Sequence, residues 1–221
     1  MSAGMATPNG SQVTAPTAPR PGATPVTETA WPATARFSSS FAPEGLGFVQ
    51  DFLNTDSGPD SADLLDSTES ASRWLADALT TARRVDPLAP STDIPIGPRE
   101  LVALRNLRSE VRDALRPTPG SEAERPTVSS MTTVSVSHGK IELQAIGGGA
   151  DLLRSYVFVQ LVRAYYRDTI GRLKICANPE CEVAFYDRSR NRSGVWHDVA
   201  TCGNPHNLRK YRQRKKSAVT E

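Results

Sequence analysis

Hydrophobic residues recur at three- and four-residue steps in several stretches of the chain, the spacing that lines one face of a helix. Leu46, Phe48, Val49, Phe52 and Leu53 suit one face of a short helix within 46–55, closed by Asp56-Ser57-Gly58-Pro59. Trp74, Leu75, Ala78, Leu79 and Ala82 predict a second helix over about 70–84, ended by Asp86-Pro87, with an irregular proline-rich run to Pro98. Pro98 suits a first helical position, and Leu101, Leu104, Leu107, Val111 and Leu115 mark a third helix that Pro117 stops. After a polar loop, Val134, Val136, Ile141 and Leu143 alternate with polar residues around Ser137-His138-Gly139-Lys140, the pattern of a hairpin. Gly147-Gly148-Gly149 reads as a flexible joint, because no Lys-Ser/Thr follows to make a phosphate loop. The longest helix is expected over about 150–171, with Leu153, Tyr156, Val157, Leu161, Ala164, Tyr165 and Ile170 on its buried face. It would run almost directly into the C-terminal segment as a rigid junction.

The first 36 residues lack this pattern. They are mainly Ala, Thr, Pro, Gly and Ser, which bury too little surface to offset ordering entropy, so residues 1–36 are expected to be a disordered tail. Trp31 is the one oddity there. The expected organisation is a tail at 1–36, a helical body at 45–171 and a small module at 172–216. The fold class is mainly α (α+β): a helical body with a short β-hairpin, then a hairpin-plus-helix module.

Charge sharpens that division. The chain has 221 residues, 38% of them hydrophobic, and a net charge of only +2. Residues 172–216 hold 11 Lys and Arg against 4 acids, whereas the remainder holds 15 against 20. A basic end on an acidic body points to a polyanion partner. No stretch is long and apolar enough to span a membrane and no secretory signal is visible, so a reducing cytoplasm is expected.

The chemistry sits in the same basic segment. All three cysteines, Cys176, Cys181 and Cys202, lie there with His197, spaced C-x4-C-x15-H-x4-C. Two close ligand pairs separated by a loop are what a tetrahedral zinc site needs, and four protein ligands leave no position for a catalytic water. One structural Zn2+ is expected. His206 is a rival fourth ligand, but it falls inside the expected last helix, so His197 is preferred. Between the pairs, Val183, Phe185, Val195 and Trp196 can flank a hairpin whose tip carries Arg188, Arg190 and Arg192. Asn204 is a suitable N-cap for a final helix, with Cys202 at its start. Leu208 and Tyr211 can face the hairpin, while Arg209, Lys210, Arg212, Arg214, Lys215 and Lys216 project outward.

The run from Cys176 to Arg214, with Phe185-Tyr186-Asp187-Arg188-Ser189-Arg190-Asn191 and the closing Cys202-Gly203-Asn204, resembles the CGNR-type zinc finger of bacteria. In that family the finger follows a mostly helical ABATE domain. Asp51-Phe52-Leu53-Asn54-Thr55 resembles the Asp-Phe-Val-Asn-Thr signature near its start. The resemblance covers about 45–216 and implies a stress-induced regulator of transcription that binds DNA. Two departures stand out. His197 replaces a cysteine usual after the tryptophan, which leaves a Cys3His site, and Pro205 replaces the signature's arginine.

These features together predict a DNA-binding regulator contacting phosphates through Arg188, Arg190, Arg192 and the cations of the last helix. RNA binding and a protein-interaction module are the alternatives. No paired carboxylates or nucleophile–base motif stands out, so no enzyme activity is expected. A homodimer, or a small-molecule effector of the helical body, would bias the finger through the long helix.

Overall fold

Helix α1 (Leu46–Leu53) lies at the centre of the molecule, and all eight of its residues are buried. The structure is a computed structural model that describes residues 1, 30–56, 58, 61–116 and 127–217. Most of the expected tail, residues 2–29, lies outside the described residues. Around α1 pack α2 (Thr68–Val85), α3 (Pro98–Leu115) and α4 (Gly149–Tyr166). The local stops are chemical. Ser67 caps α2 in a reciprocal box with Ser70, and Pro98 opens α3 while Glu100 accepts from the Gly97 N–H.

The one-face reading of α1 fails because its polar residues are also satisfied inside. Asp51 accepts hydrogen bonds from the Thr34 N–H at 2.7 Å and the Trp74 indole at 2.8 Å. Gln50 accepts from the Ala42 N–H at 2.6 Å and donates to the Ser40 carbonyl at 3.0 Å. Buried polar groups with such partners cost little. Phe48 stands among Trp31, Trp74 and Tyr156, with ring centroids 6.4, 6.1 and 5.1 Å away.

Trp31 corrects the expectation of an unfolded segment up to residue 36. It is 2% exposed and packs so tightly on α1 that a Cβ at Gly47 would lie 2.2 Å from its Nε1. A short helical turn, Thr34–Arg36, follows it, and Arg36 donates to the carbonyls of Asn54, Thr55 and Ala62. Organised chain therefore begins well before Gly45.

Strands β1 (Thr132–Ser137) and β2 (Lys140–Ala145) pair antiparallel through His138-Gly139, as expected. Helix α4 ends earlier than expected. The chain turns at Asp168 (φ 54°), and Tyr165, placed on the buried face by periodicity, is exposed within the last turn of the helix. Strand β3 (Leu173–Ile175) then pairs antiparallel with β4 (Ala184–Tyr186). A turn and a strand thus separate α4 from Cys176, and the expected rigid helical junction is not formed.

Candidate metal centre

The β3–β4 hairpin is fused to the helical body. Leu173, Ile175 and Ala184 join the same buried cluster as Phe48, Leu53 and Leu107. Asn54, in the residue after α1, acts toward Ala184 as a neighbouring strand would. Its Oδ1 accepts from the Ala184 N–H at 2.8 Å and its Nδ2 donates to the Ala184 carbonyl at 2.9 Å. Arg112 of α3 donates to Glu182 at 2.5 Å and to the Leu53 carbonyl at 2.7 Å, and Arg116 also pairs with Glu182. Both ends of the Glu182–Ala184 segment are thereby held by the body. The expected pairing of Val183 and Phe185 with Val195 and Trp196 is replaced by pairing with β3.

That hairpin sets the first two ligands. Cys176 follows β3 and its N–H bonds the Val183 carbonyl at 2.9 Å. A turn at Asn178-Pro179-Glu180 brings Cys181 back, its N–H on the Asn178 carbonyl at 2.9 Å. The second pair arrives because the Ala177 N–H bonds the Val195 carbonyl at 2.9 Å, laying the Trp196-His197 segment alongside. Asp198 then caps a π-type turn, Val199–Gly203, that carries Cys202. Its carboxylate accepts from the Thr201 N–H at 2.9 Å, and that bond holds its pKa below the ordinary value.

The ligand atoms of Cys176, Cys181, His197 and Cys202 all lie within 4.8 Å of one another. His197 Nδ1 is 3.4 Å from the Cys181 sulfur and 3.5 Å from that of Cys202. A tetrahedral zinc ion with bonds of about 2.3 Å to sulfur and 2.0 Å to nitrogen sets those atoms about 3.6 Å apart. The donor set therefore fits zinc. The three cysteines are 4 to 9% exposed, among Val183, Phe37 and Trp196. Asn178 Nδ2 sits 3.7 Å from the Cys202 sulfur, a donor suited to steadying a thiolate. A hydrogen bond from Cys181 pulls the pKa of the Cys176 thiol down, and the same contact pushes that of Cys181 up.

His206 is not in the cluster; its ring lies against Trp196, centroids 4.9 Å apart. The same indole explains Gly203, where a Cβ would meet Trp196 Cδ1 at 3.0 Å. Asn204 is not an N-cap: its φ of −62° and ψ of −47° are helical, and α5 (Asn204–Ser217) continues directly from the π-type turn. Leu208 and Tyr211, expected to face the hairpin, are exposed.

The expected basic residues divide in two. Asp187 organises the arginine-bearing loop by accepting from Lys174 at 2.7 Å, the Ser189 N–H at 2.9 Å and the Gly194 N–H at 2.8 Å. Desolvation pushes its pKa up, but these donors outweigh it and hold the carboxylate well below the usual range. Arg188 and Arg190 are exposed on this loop, Arg188 reaching the Phe41 carbonyl at 3.3 Å. Arg192 is committed to Asp168, and Arg209 to Glu180 at 2.7 Å. Lys210, Arg212, Arg214 and Lys215 are exposed along α5, and the side chain of Lys216 lies outside the described ones. Sequence reasoning missed Asn54, Glu182, Asp187 and Phe37 as supports of the site; of these, Asn54 and Asp187 stood in quoted motifs, and Glu182 and Phe37 in neither. A groove of about 950 Å³ opens between the end of α3 and β3, lined by Leu115, Ile170, Leu173 and Val195 among others.

Comparison with known families agrees with this architecture. Residues 172–215 match the CGNR zinc finger, and residues 47–154 match the ABATE family, described as "Putative stress-induced transcription regulator". No curated protein matches the chain. With both regions in this order and the Cys3His cluster inside the second, the chain belongs to the CGNR zinc-finger proteins that carry an ABATE region ahead of the finger.

Proposed function

We propose that this protein binds duplex DNA through its C-terminal basic surface and acts in transcription control. The observation that carries the reading is α5, which follows Cys202 directly, contains no acid and exposes Lys210, Arg212, Arg214 and Lys215. A helix this polar, whose Leu208 and Tyr211 are both exposed, gains little from packing on its own protein. It gains more from phosphates, whose neutralisation releases counterions. The zinc site serves as the mount that fixes this helix and the arginine loop to the body. Four protein donors fill a tetrahedral shell and leave no position for a catalytic water, so the ion's role in this reading is structural.

Arg192 and Arg209 already have acidic partners, which leaves Arg190 and the four α5 cations as the readiest phosphate contacts. About five contacts give a slope of roughly −4.5 in log affinity against log salt. The test is binding of the zinc-loaded protein to random duplex DNA across a salt series. Replacing Lys210, Arg212 and Arg214 together by Ala should weaken binding and flatten the slope by about 3. Salt-insensitive binding, or a slope unchanged in the triple variant, would refute the reading. Stronger competition by single-stranded RNA would move the function to RNA. The groove at the body–finger junction is the place we assign to a small effector, because a ligand there touches α3 and β3 at once.

A further inference from the structure

We propose that the β1–β2 hairpin is a self-association surface, and that β2 of one copy pairs antiparallel with β2 of a second copy about Ile141. The register sets Val134 opposite Leu143 and Val136 opposite Ile141, so these four side chains share one face. Val134 is 58% exposed, and Val136 and Ile141 are each 72% exposed. Arg163 donates to the Leu143 carbonyl at 3.1 Å, which places the last turn of α4, with exposed Tyr165 and Tyr166, beside β2. A two-stranded ribbon is marginal by itself, and an uncovered apolar strand edge invites pairing.

The chain's own undescribed segments are poorly suited to cover this face. Residues 2–29 contain Met5, Val13 and Val26 as their only large apolar residues, and residues 117–126 contain none. A second copy is well suited. The turn at His138 (φ 49°) and Gly139 (φ 74°) has the geometry that makes Ser137 and Lys140 a hydrogen-bonded pair. Alternation then aims the backbone groups of Ile141 and Leu143 away from β1, as the Arg163 bond to Leu143 agrees. Those of Ile141 have no other partner among the described residues. Pairing two β2 strands about Ile141 lets the two Ile141 residues exchange hydrogen bonds. It also sets each Lys140 opposite Glu142 of the partner subunit, an opposite-charge pair made twice by the two-fold axis. The result is a four-stranded sheet with a doubled apolar strip.

The test is sedimentation of the full zinc-loaded chain over a micromolar concentration series, with zinc content and circular dichroism confirming folding. The wild type should dimerise. Lys140→Glu should weaken the dimer about tenfold by opposing like charges twice, and adding Glu142→Lys should restore it. Ile141→Pro removes an outward N–H without touching the β1–β2 ladder and should also give a monomer. A dimer indifferent to all three variants overturns the proposal. So does a monomeric wild type. If amide exchange shows residues 132–145 protected until residues 2–29 are deleted, the face belongs to the protein's own N-terminal segment; if unprotected, it is left for a different protein.

Discussion

Asn54→Ala tests the claim that the body holds the finger through one side chain. Truncation strands the buried Ala184 N–H, which loses its 2.8 Å acceptor. A buried donor left unpaired costs about 2 kcal/mol. The Ala184 carbonyl keeps the Gln50 amide at 3.2 Å, so there only one of two bonds is lost, and Thr34 Oγ1 loses a donor at 3.2 Å. Those two losses add about 0.5 kcal/mol each, for a total of about 3 kcal/mol. In a chain of this size that lowers the melting temperature by roughly 6 to 12 °C. The assay is urea unfolding of the zinc-loaded protein, paired with the rate of zinc transfer to a chromogenic chelator. Because Ala184 lies three residues from Cys181, zinc loss should accelerate as β4 loosens. A change below about 1 kcal/mol with an unaltered transfer rate would refute the argument and leave the shared hydrophobic packing and the Arg112 and Arg116 bonds to Glu182 as the tether.

Cys181→Ala removes one donor from a site whose ion contributes on the order of 10 kcal/mol in small zinc modules; zinc content should fall to background while far-ultraviolet dichroism retains the signal of α1–α4. Gly203→Ala puts a methyl group 3.0 Å from the Trp196 ring and should weaken zinc retention several-fold in chelator competition, with the body's stability little changed. Burial raises the Asp51 pKa to about 6 from 3.8. Between those values the folded state holds a proton that the unfolded state has lost, so this group's contribution falls as pH rises from about 4 to 6 and is flat above. The stability difference between wild type and Asp51→Asn should therefore shift against the wild type by about 3 kcal/mol over that interval, read from urea midpoints.

Helices α2 and α3 were legible because each has one apolar stripe and ordinary caps, and local pattern decides such elements. The metal centre was legible in its spacing, since close ligand pairs act through local turns. What failed was set by distant partners. Gln50 and Asp51 look like a solvent face until Ala42, Trp74 and Thr34 are brought to them. Trp31 sits in a polar, proline-rich run, and only the missing side chain of Gly47 makes its pocket. The preference for His197 over His206, by contrast, was legible, because His206 falls inside α5 and the cluster holds His197. The β3 partner of β4 was hidden because three-residue strands carry too little alternation to declare a register.

The arrangement at Ala184 also bears on how such a protein can be inherited. A zinc finger that folds as a free bead can be cut from one gene and joined to another. Here β3 and β4 draw their hydrophobic neighbours from α1 and α3, and one backbone edge is completed by the Asn54 amide. Excised, residues 172–217 would expose Leu173, Ile175 and Ala184 together with an unpaired strand. The two regions must therefore travel and diverge as a unit, and a recombination break near residue 172 would separate halves of a single core.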